Sequence, residues 1–399
     1  MIGDDVLAEL DRRLAPVDAA RQAAYPGESP ARQPVHTCYV PADAVVPGLP
    51  QAWGGAALAA LDEHGLPDLG LPPELVEQVL PRVRSKLHRE PVEDLRVDAE
   101  DGYRGAADAE DGDVLRAAAV LAEEPVRPPS VGIRAKSLEG PTRRRGVRSL
   151  DVFLTGLAPA PPPRVVITLP KVTDVEQVAA FLPVLDALEA AHGVPLDLEL
   201  QVETPQAVLG ADGTTTLARM LHAAGGRCTG LHYGTYDYSA SLGIAAAHQS
   251  SDHPAADAAK QAMQVAVAGT RARAVDGSTN VLPVGGREQV HAGWALHARL
   301  VRRALERGFY QGWDLHPAQL VTRYVATYAF FRAALPAAGA RLAGYVARVD
   351  GGVLDEPATA KALATVVLRG LDCGALDVAE VEAATGVDRA GLDRLAGRR

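Results

Sequence analysis

Long apolar runs alternate with amphipathic stretches along most of the chain. The clearest run is RVVITLPKV (164–172), and LDLELQV (196–202) and TGLHYG (229–234) follow it. An apolar run of this kind predicts a strand covered on both faces, as in a parallel sheet. Between the first two runs, Val175, Val178, Leu182 and Leu185 recur at three- and four-residue steps and predict a helix. Thr173 as cap with Glu176 at the third position starts that helix, and Gly193 follows its end.

Earlier strands are expected at 35–40, closed by Pro41, at 94–99, running into Glu100-Asp101-Gly102, and at 131–137 (VGIRAKS). TNVLPV (279–284) and GFYQGWDL (308–315) close the series. The residues near the strand ends are Glu100, Arg134, Lys171, Glu203, Asp237, Val281 and Asp314, and the steps from Glu100 to Asp237 are 34, 37, 32 and 34 residues. The longer step to Val281 leaves room for an insertion, SSDHPAAD. Eight strand candidates alternating with helices predict an α/β chain folded as a (β/α)₈ TIM barrel. A doubly wound open sheet is the competitor, but no G-x-G-x-x-G turn follows the first strand. The barrel is placed at 35–335. Residues 1–34 form an N-terminal extension, with an amphipathic helix marked by Val6, Leu7, Leu10 and Leu14. Residues 336–399 are Ala-rich helices expected to form an appendage or lid on the barrel or on a neighbouring subunit.

Composition narrows the function. Of 399 residues, 47% are apolar and 23% charged, ample for a packed core, and the formal net charge of −10 argues against a nucleic-acid partner. Cys38, Cys228 and Cys373 show no C-x-x-C spacing, which suggests a reducing compartment and neither a disulfide framework nor a structural zinc site. The opening MIGDDVLAELDRRLAP does not read as a signal peptide, and no apolar run reaches membrane-spanning length, so a cytoplasmic location is expected.

Ligands of parallel β/α proteins bind at the C-terminal ends of the strands. Glu203 and Asp237 end neighbouring strands there. Two acids at close range repel unless a proton or cation lies between them, and a hard ion such as Mg²⁺ takes few carboxylates and leaves positions for substrate oxygens and water. The alternative is two solvated loop acids. Arg134 is either a structural ion pair with Glu100 or Asp101 or a bidentate clamp for a substrate carboxylate. Lys171, beside two acids, stays protonated and supports them, since a Schiff-base nucleophile needs a neutral lysine. Gly234 and Thr235 are small enough to let backbone N–H groups approach a ligand oxyanion. His316 reads as a base or a loop-fixing group, and His232 and His248 as structural. Arg143, Arg144, Arg145 and Arg148 read as a solvated turn or as a phosphate-binding run for coenzyme A.

The order of these motifs resembles a known superfamily: Glu100-Asp101, Arg134, LPK (169–171), VETP (202–205), GTYD (234–237) and GWDLHPAQ (312–319). Over roughly 35–360 the chain resembles the citrate lyase β-subunit-like, HpcH/HpaI aldolase and malate synthase superfamily of TIM barrels, as a divergent member. The resemblance implies a metal-dependent carbon–carbon lyase or aldolase acting on a 2-oxo acid of the glyoxylate, pyruvate or oxaloacetate type through a metal-stabilised enolate. Glu203 and Asp237 would bind Mg²⁺, with Mn²⁺ as the alternative. Arg134 would grip the oxo acid's carboxylate, Glu100 and Asp101 would support it, and backbone from Gly234 to Tyr236 would help hold it.

VARVDGGVLDEP (346–357) resembles a C-terminal lid that carries an acid–base aspartate, often over a neighbouring subunit's site. That match gives Asp350, with Asp355 as fallback, and implies a homo-oligomer, trimer or hexamer. VHTCYVPAD (35–43) departs from the family's first-strand form, leaving coenzyme A as co-substrate open. A condensation with an acyl-CoA of the malate synthase or malyl-CoA lyase type is the second reading, and a non-catalytic carboxylate-binding barrel the third.

Overall fold

The computed structural model describes residues 2–347 and 356–398. Eight short strands pair in parallel: β1 (His36–Pro41), β2 (Asp94–Asp98), β3 (Ser130–Arg134), β4 (Val165–Leu169), β5 (Leu196–Val202), β6 (Cys228–Tyr233), β7 (Arg273–Val275) and β8 (Gly312–Asp314). Their order is β7-β6-β5-β4-β3-β2-β1-β8, so each strand lies beside its sequence neighbour and the last returns to the first. Between β7 and β8 the Asp276 N–H donates to the Gln311 carbonyl at 2.9 Å, which bridges the remaining gap. The expected (β/α)₈ barrel is therefore present, nearly closed.

Every residue of β4 and β5 is buried, which is why these segments read as strands covered on both faces. Outward residues such as Ile133, Ile167, Leu198 and Leu231 share one apolar cluster with Val114, Phe153, Phe181 and Leu185 of the surrounding helices. Each such side chain contributes about 1.5–3 kcal/mol by leaving water. Inside the barrel only Tyr39, Val275 and Trp313 form a small separate cluster. Val166 also faces inward, and most of the remaining interior is polar. Arg96, fully buried, bonds to Asp94, to Glu199 (2.9 Å) and to Thr168 (3.3 Å). Gly132 makes room for it, since a Cβ there would lie 1.9 Å from the Val166 carbonyl oxygen and 3.1 Å from Arg96 Cδ.

Three expectations need correction. The seventh strand is Arg273–Val275, not 279–284. Pro283 lacks a ladder donor, the Val284 N–H turns back onto the Leu282 carbonyl at 3.0 Å, and Val281 and Val284 stay exposed, so this apolar run is a loop. The helix Val175–His192 is capped one residue later than expected: Asp174 accepts from Glu176 N at 2.8 Å, and Gln177 reaches back to the Thr173 and Asp174 N–H groups. Arg143 to Arg148 open the helix Arg143–Leu157 and do not form a turn, because Arg145 and Arg148 pair with Glu110 and Asp111 of the helix Glu110–Glu123.

The helix Asp4–Ala24 buries none of its residues. After β8, one helix, Gln319–Ala347, runs through position 336 and lies against two later helices, Pro357–Cys373 and Val378–Thr385, with Tyr328 Oη bonded to the Cys373 carbonyl at 2.8 Å, and the last helix, Arg389–Ala396, packs on Pro357–Cys373. Among the described residues, no helix is long and apolar enough to cross a membrane.

Candidate active site

Three neighbouring strand ends supply the centre of the site. Lys171 follows β4, Glu203 follows β5, and Asp237 lies in the first turn of the helix Thr235–Ser241, which starts directly after β6. The close spacing of β5 and β6 depends on Gly234, where a Cβ would lie 2.5 Å from Glu203 Cβ and 2.8 Å from its Oε2.

Lys171 organises the cluster. It is the one non-glycine residue with positive φ (52°) among the described residues, a conformation that costs on the order of 1–2 kcal/mol. Held this way, its N–H donates to Glu203 Oε1 at 2.7 Å. Its ammonium reaches Glu100 Oε1 at 2.6 Å, Asp101 Oδ2 at 2.7 Å and Asp237 Oδ2 at 3.4 Å. Burial favours the neutral amine, but Glu203, Asp101 and Glu100 outweigh it and hold the lysine above its usual range. Such a lysine is a fixed cation, not a nucleophile.

Glu203 is 1% exposed, and burial pushes its carboxyl up to about 8. Lys171 and Arg134 oppose that shift, whereas Asp237 and Glu100 add to it. Its second oxygen accepts from Gln201 Nε2. Glu100 is likewise raised by burial, despite Arg134 and Lys171. Asp101 is lowered, because its bond to Lys171 overcomes burial.

Arg134 ends β3 and is buried. Its Nε and Nη2 hold Asp98 in a fork, at 2.9 and 2.6 Å. Nη1 faces Gln201 Oε1 at 3.3 Å and Glu100 Oε2 at 3.6 Å, and the guanidinium lies 4.8 Å from the Tyr39 ring centroid. The carboxylate in its fork is thus Asp98, an acid that the motif reading passed over. Asp98, Arg96, Gln201 and Glu199 all carried a signal: polar residues at every second position in otherwise apolar strands, Asp94-Arg96-Asp98 and Asp197-Glu199-Gln201-Glu203. That alternation marks one polar face, here the barrel interior.

Of the remaining candidates, Thr235 Oγ1 donates to the Ser278 carbonyl at 3.2 Å and Tyr236 Oη accepts from Asn280 N, so both tie the β6 rim to the loop after β7. The Gly234 N–H is engaged by the Val202 carbonyl at 2.9 Å. His316 Nδ1 accepts from Ala318 N at 3.2 Å, which fixes its own loop. Asp350 and Asp355 lie outside the described residues.

The donor set fits a hard divalent cation. Glu203 is a buried carboxylate with too little positive charge around it, and Asp237, 45% exposed, opens the cluster to solvent. Among the described residues, no three Asp, Glu, His or Cys side chains are arranged to hold a metal by themselves. An ion here would take Glu203 and Asp237 and complete its shell with water or substrate oxygens, as Mg²⁺ does.

Comparison with known proteins places the chain further. A family model described as "Domain of unknown function (DUF6986)" matches residues 14–399. No curated protein matches the chain in sequence. Among solved structures, Haloferax volcanii malate synthase, in its native form at 3 mM glyoxylate, is similar with a TM-score of 0.52 and 16% identity, over 75% of this chain and 76% of that one. Its magnesium/glyoxylate complex gives 0.50 and 15%, over 75% and 76%. Mycobacterium tuberculosis CitE in complex with magnesium, acetoacetate and coenzyme A gives 0.50 and 18%, over 86% and 99%. The likeness to these barrels is one of fold.

Proposed function

The chain belongs to the DUF6986 family, and we propose that its barrel is a magnesium-dependent carbon–carbon lyase or aldolase acting on a 2-oxo acid or its hydroxyacyl adduct. The observation that carries this reading is Glu203: a buried acid raised to about 8, at the C-terminal strand ends, beside Asp237 and a lysine that cannot satisfy it alone. The magnesium and oxo-acid complexes of the similarly folded proteins support it.

Glu203 and Asp237 would hold the ion, which when bound supplies Lewis-acid stabilisation of charge developing on substrate oxygens. The Lys171 N–H fixes one Glu203 oxygen and Gln201 the other, so the acid is aimed before anything binds. Lys171 Nζ gathers Glu100, Asp101 and Asp237 on one side of the rim. Asp98 orients Arg134 and occupies two of its donors, so Arg134 would meet a substrate carboxylate through Nη1, displacing the longer contacts to Gln201 and Glu100. Asp350 remains the proposed acid–base group by its motif, with Asp355 as the fallback.

The test is metal-dependent cleavage or formation of a 2-oxo acid, followed by coupled oxidation or reduction of that acid. Glu203→Ala should stay folded and lose metal-dependent turnover; full activity in that variant overturns the assignment. Thiol release from acyl-CoA substrates would move the chain to the condensation reading. Thermal stabilisation by an oxo acid without any turnover would leave a carboxylate-binding barrel.

A further inference from the structure

The opposite end of the barrel holds a second cavity, of about 500 Å³. That volume suits a small metabolite. It enters beside the connector that carries Ser29 and Arg32 and reaches inward to Asp94, Glu199 and His232. The acids along its wall are all matched. Arg96 holds Asp94 and Glu199, Arg164 holds Asp197, and Arg32 and Lys86 hold Glu93.

Two cations of the same wall are not matched. Arg273 donates to the carbonyls of Arg32 (3.1 Å) and Ala31, its Nε has no partner, and it joins no ion pair among the described residues. Burial, with Arg369 and Arg398 nearby, pulls it down to about 10 against Glu28 and Asp372, acids that are themselves paired with Arg369, Arg398 and Arg389. Arg271, exposed at the mouth, forms neither hydrogen bond nor ion pair among the described residues.

The inner end is closed by a buried histidine. His232 is fully buried, and its Nδ1 accepts from Trp313 Nε1 at 3.2 Å, which assigns the ring proton to Nε2. That Nε2 faces Glu199 Oε1 at 3.2 Å, as His297 Nε2 faces Asp314.

We propose that this cavity is a second binding site, for a small organic or inorganic anion bearing carboxylate or phosphate oxygens. Its charge is met by Arg271 and Arg273, which line the cavity and join no ion pair among the described residues. The site is separate from the Glu203 cluster, because the Arg96–Glu199 and Arg134–Asp98 pairs fill the barrel between them.

Equilibrium titration of the full chain, without added metal and at constant ionic strength, tests this with inorganic phosphate and, separately, with succinate. Saturable binding of at least one of them, at one site per chain, is expected. Arg273→Gln and Arg271→Glu should each weaken it about tenfold, the size of one charged hydrogen bond. Glu203→Gln should leave it unchanged. Which of the two anions binds more tightly tells phosphate from carboxylate chemistry. Arg271 supports no neighbour, so its variant keeps the test open should Arg273→Gln misfold. Absence of saturation with both anions, indifference to Arg271→Glu, or loss of binding in Glu203→Gln would each overturn the proposal.

Discussion

Glu203 and Asp314 are both carboxylates at strand ends and both buried, at 1% and 0% exposure, yet their surroundings differ in one respect. Asp314 is fully supplied. His36 Nδ1 lies 2.9 Å from it, His297 Nε2 3.1 Å and Arg323 Nη2 3.0 Å, and these groups outweigh burial and hold it well below the usual carboxylate range. Glu203 receives one backbone N–H and one amide, has a lysine shared with three other acids, and rises to about 8. Burial alone therefore does not mark a functional acid. A buried acid with all its partners is structural, and one left short of positive charge is ready for a ligand.

The largest expected effect breaks the comparison on the functional side. Glu203→Ala should lower metal-dependent turnover on the order of 10⁴-fold, with little loss of fold. On the structural side, Asp314→Asn should cost about 3–4 kcal/mol in denaturant unfolding, because it strands the buried Arg323. Equal loss of stability in both variants would erase the distinction.

Protonation sharpens it next. Glu203 has a folded-state pKa above its ordinary one, so the folded chain binds the extra proton and stability falls as pH rises from about 4.5 to about 8. Glu203→Gln should accordingly stabilise the metal-free protein by about 2–4 kcal/mol at pH 9 and by almost nothing at pH 4. For Asp314 the sign is opposite. Its stabilisation is present above the ordinary carboxylate range and is lost only in strong acid.

The smallest effect is on metal affinity. In the proposed site Mg²⁺ would displace the Glu203 proton, so affinity should rise up to about tenfold per pH unit below about 8 and level off above it. Titration calorimetry at a series of pH values reads this directly, and a flat profile would remove Glu203 from the metal site.

Much of the fold was legible. The 34-residue rhythm and the apolar run of β4 set the barrel, because a strand covered on both faces and a helix on one leave different periods in the chain. β7 was misplaced because VLPV outscores the three-residue Arg273–Val275 in apolar content, and content alone does not show which segment finds ladder partners. At the candidate site, Glu203, Asp237, Lys171 and Arg134 were expected near strand ends, and the structure brings them to one rim. Asp98, the partner that fills the fork of Arg134, was visible only as part of a period-two polar stripe.

The chain by itself determined the number and order of the β/α units and which residues stand near the C-terminal rim, since both follow from local periodicity and spacing. Only the tertiary structure decided which cation each acid receives. Asp314 and Glu203 look alike in one dimension, and the difference between them is made by His297, Arg323 and Lys171, which come from separate elements and reach them only when the barrel closes. Electrostatic partnership falls off over a few ångströms in space, and distance along the chain carries almost none of that information.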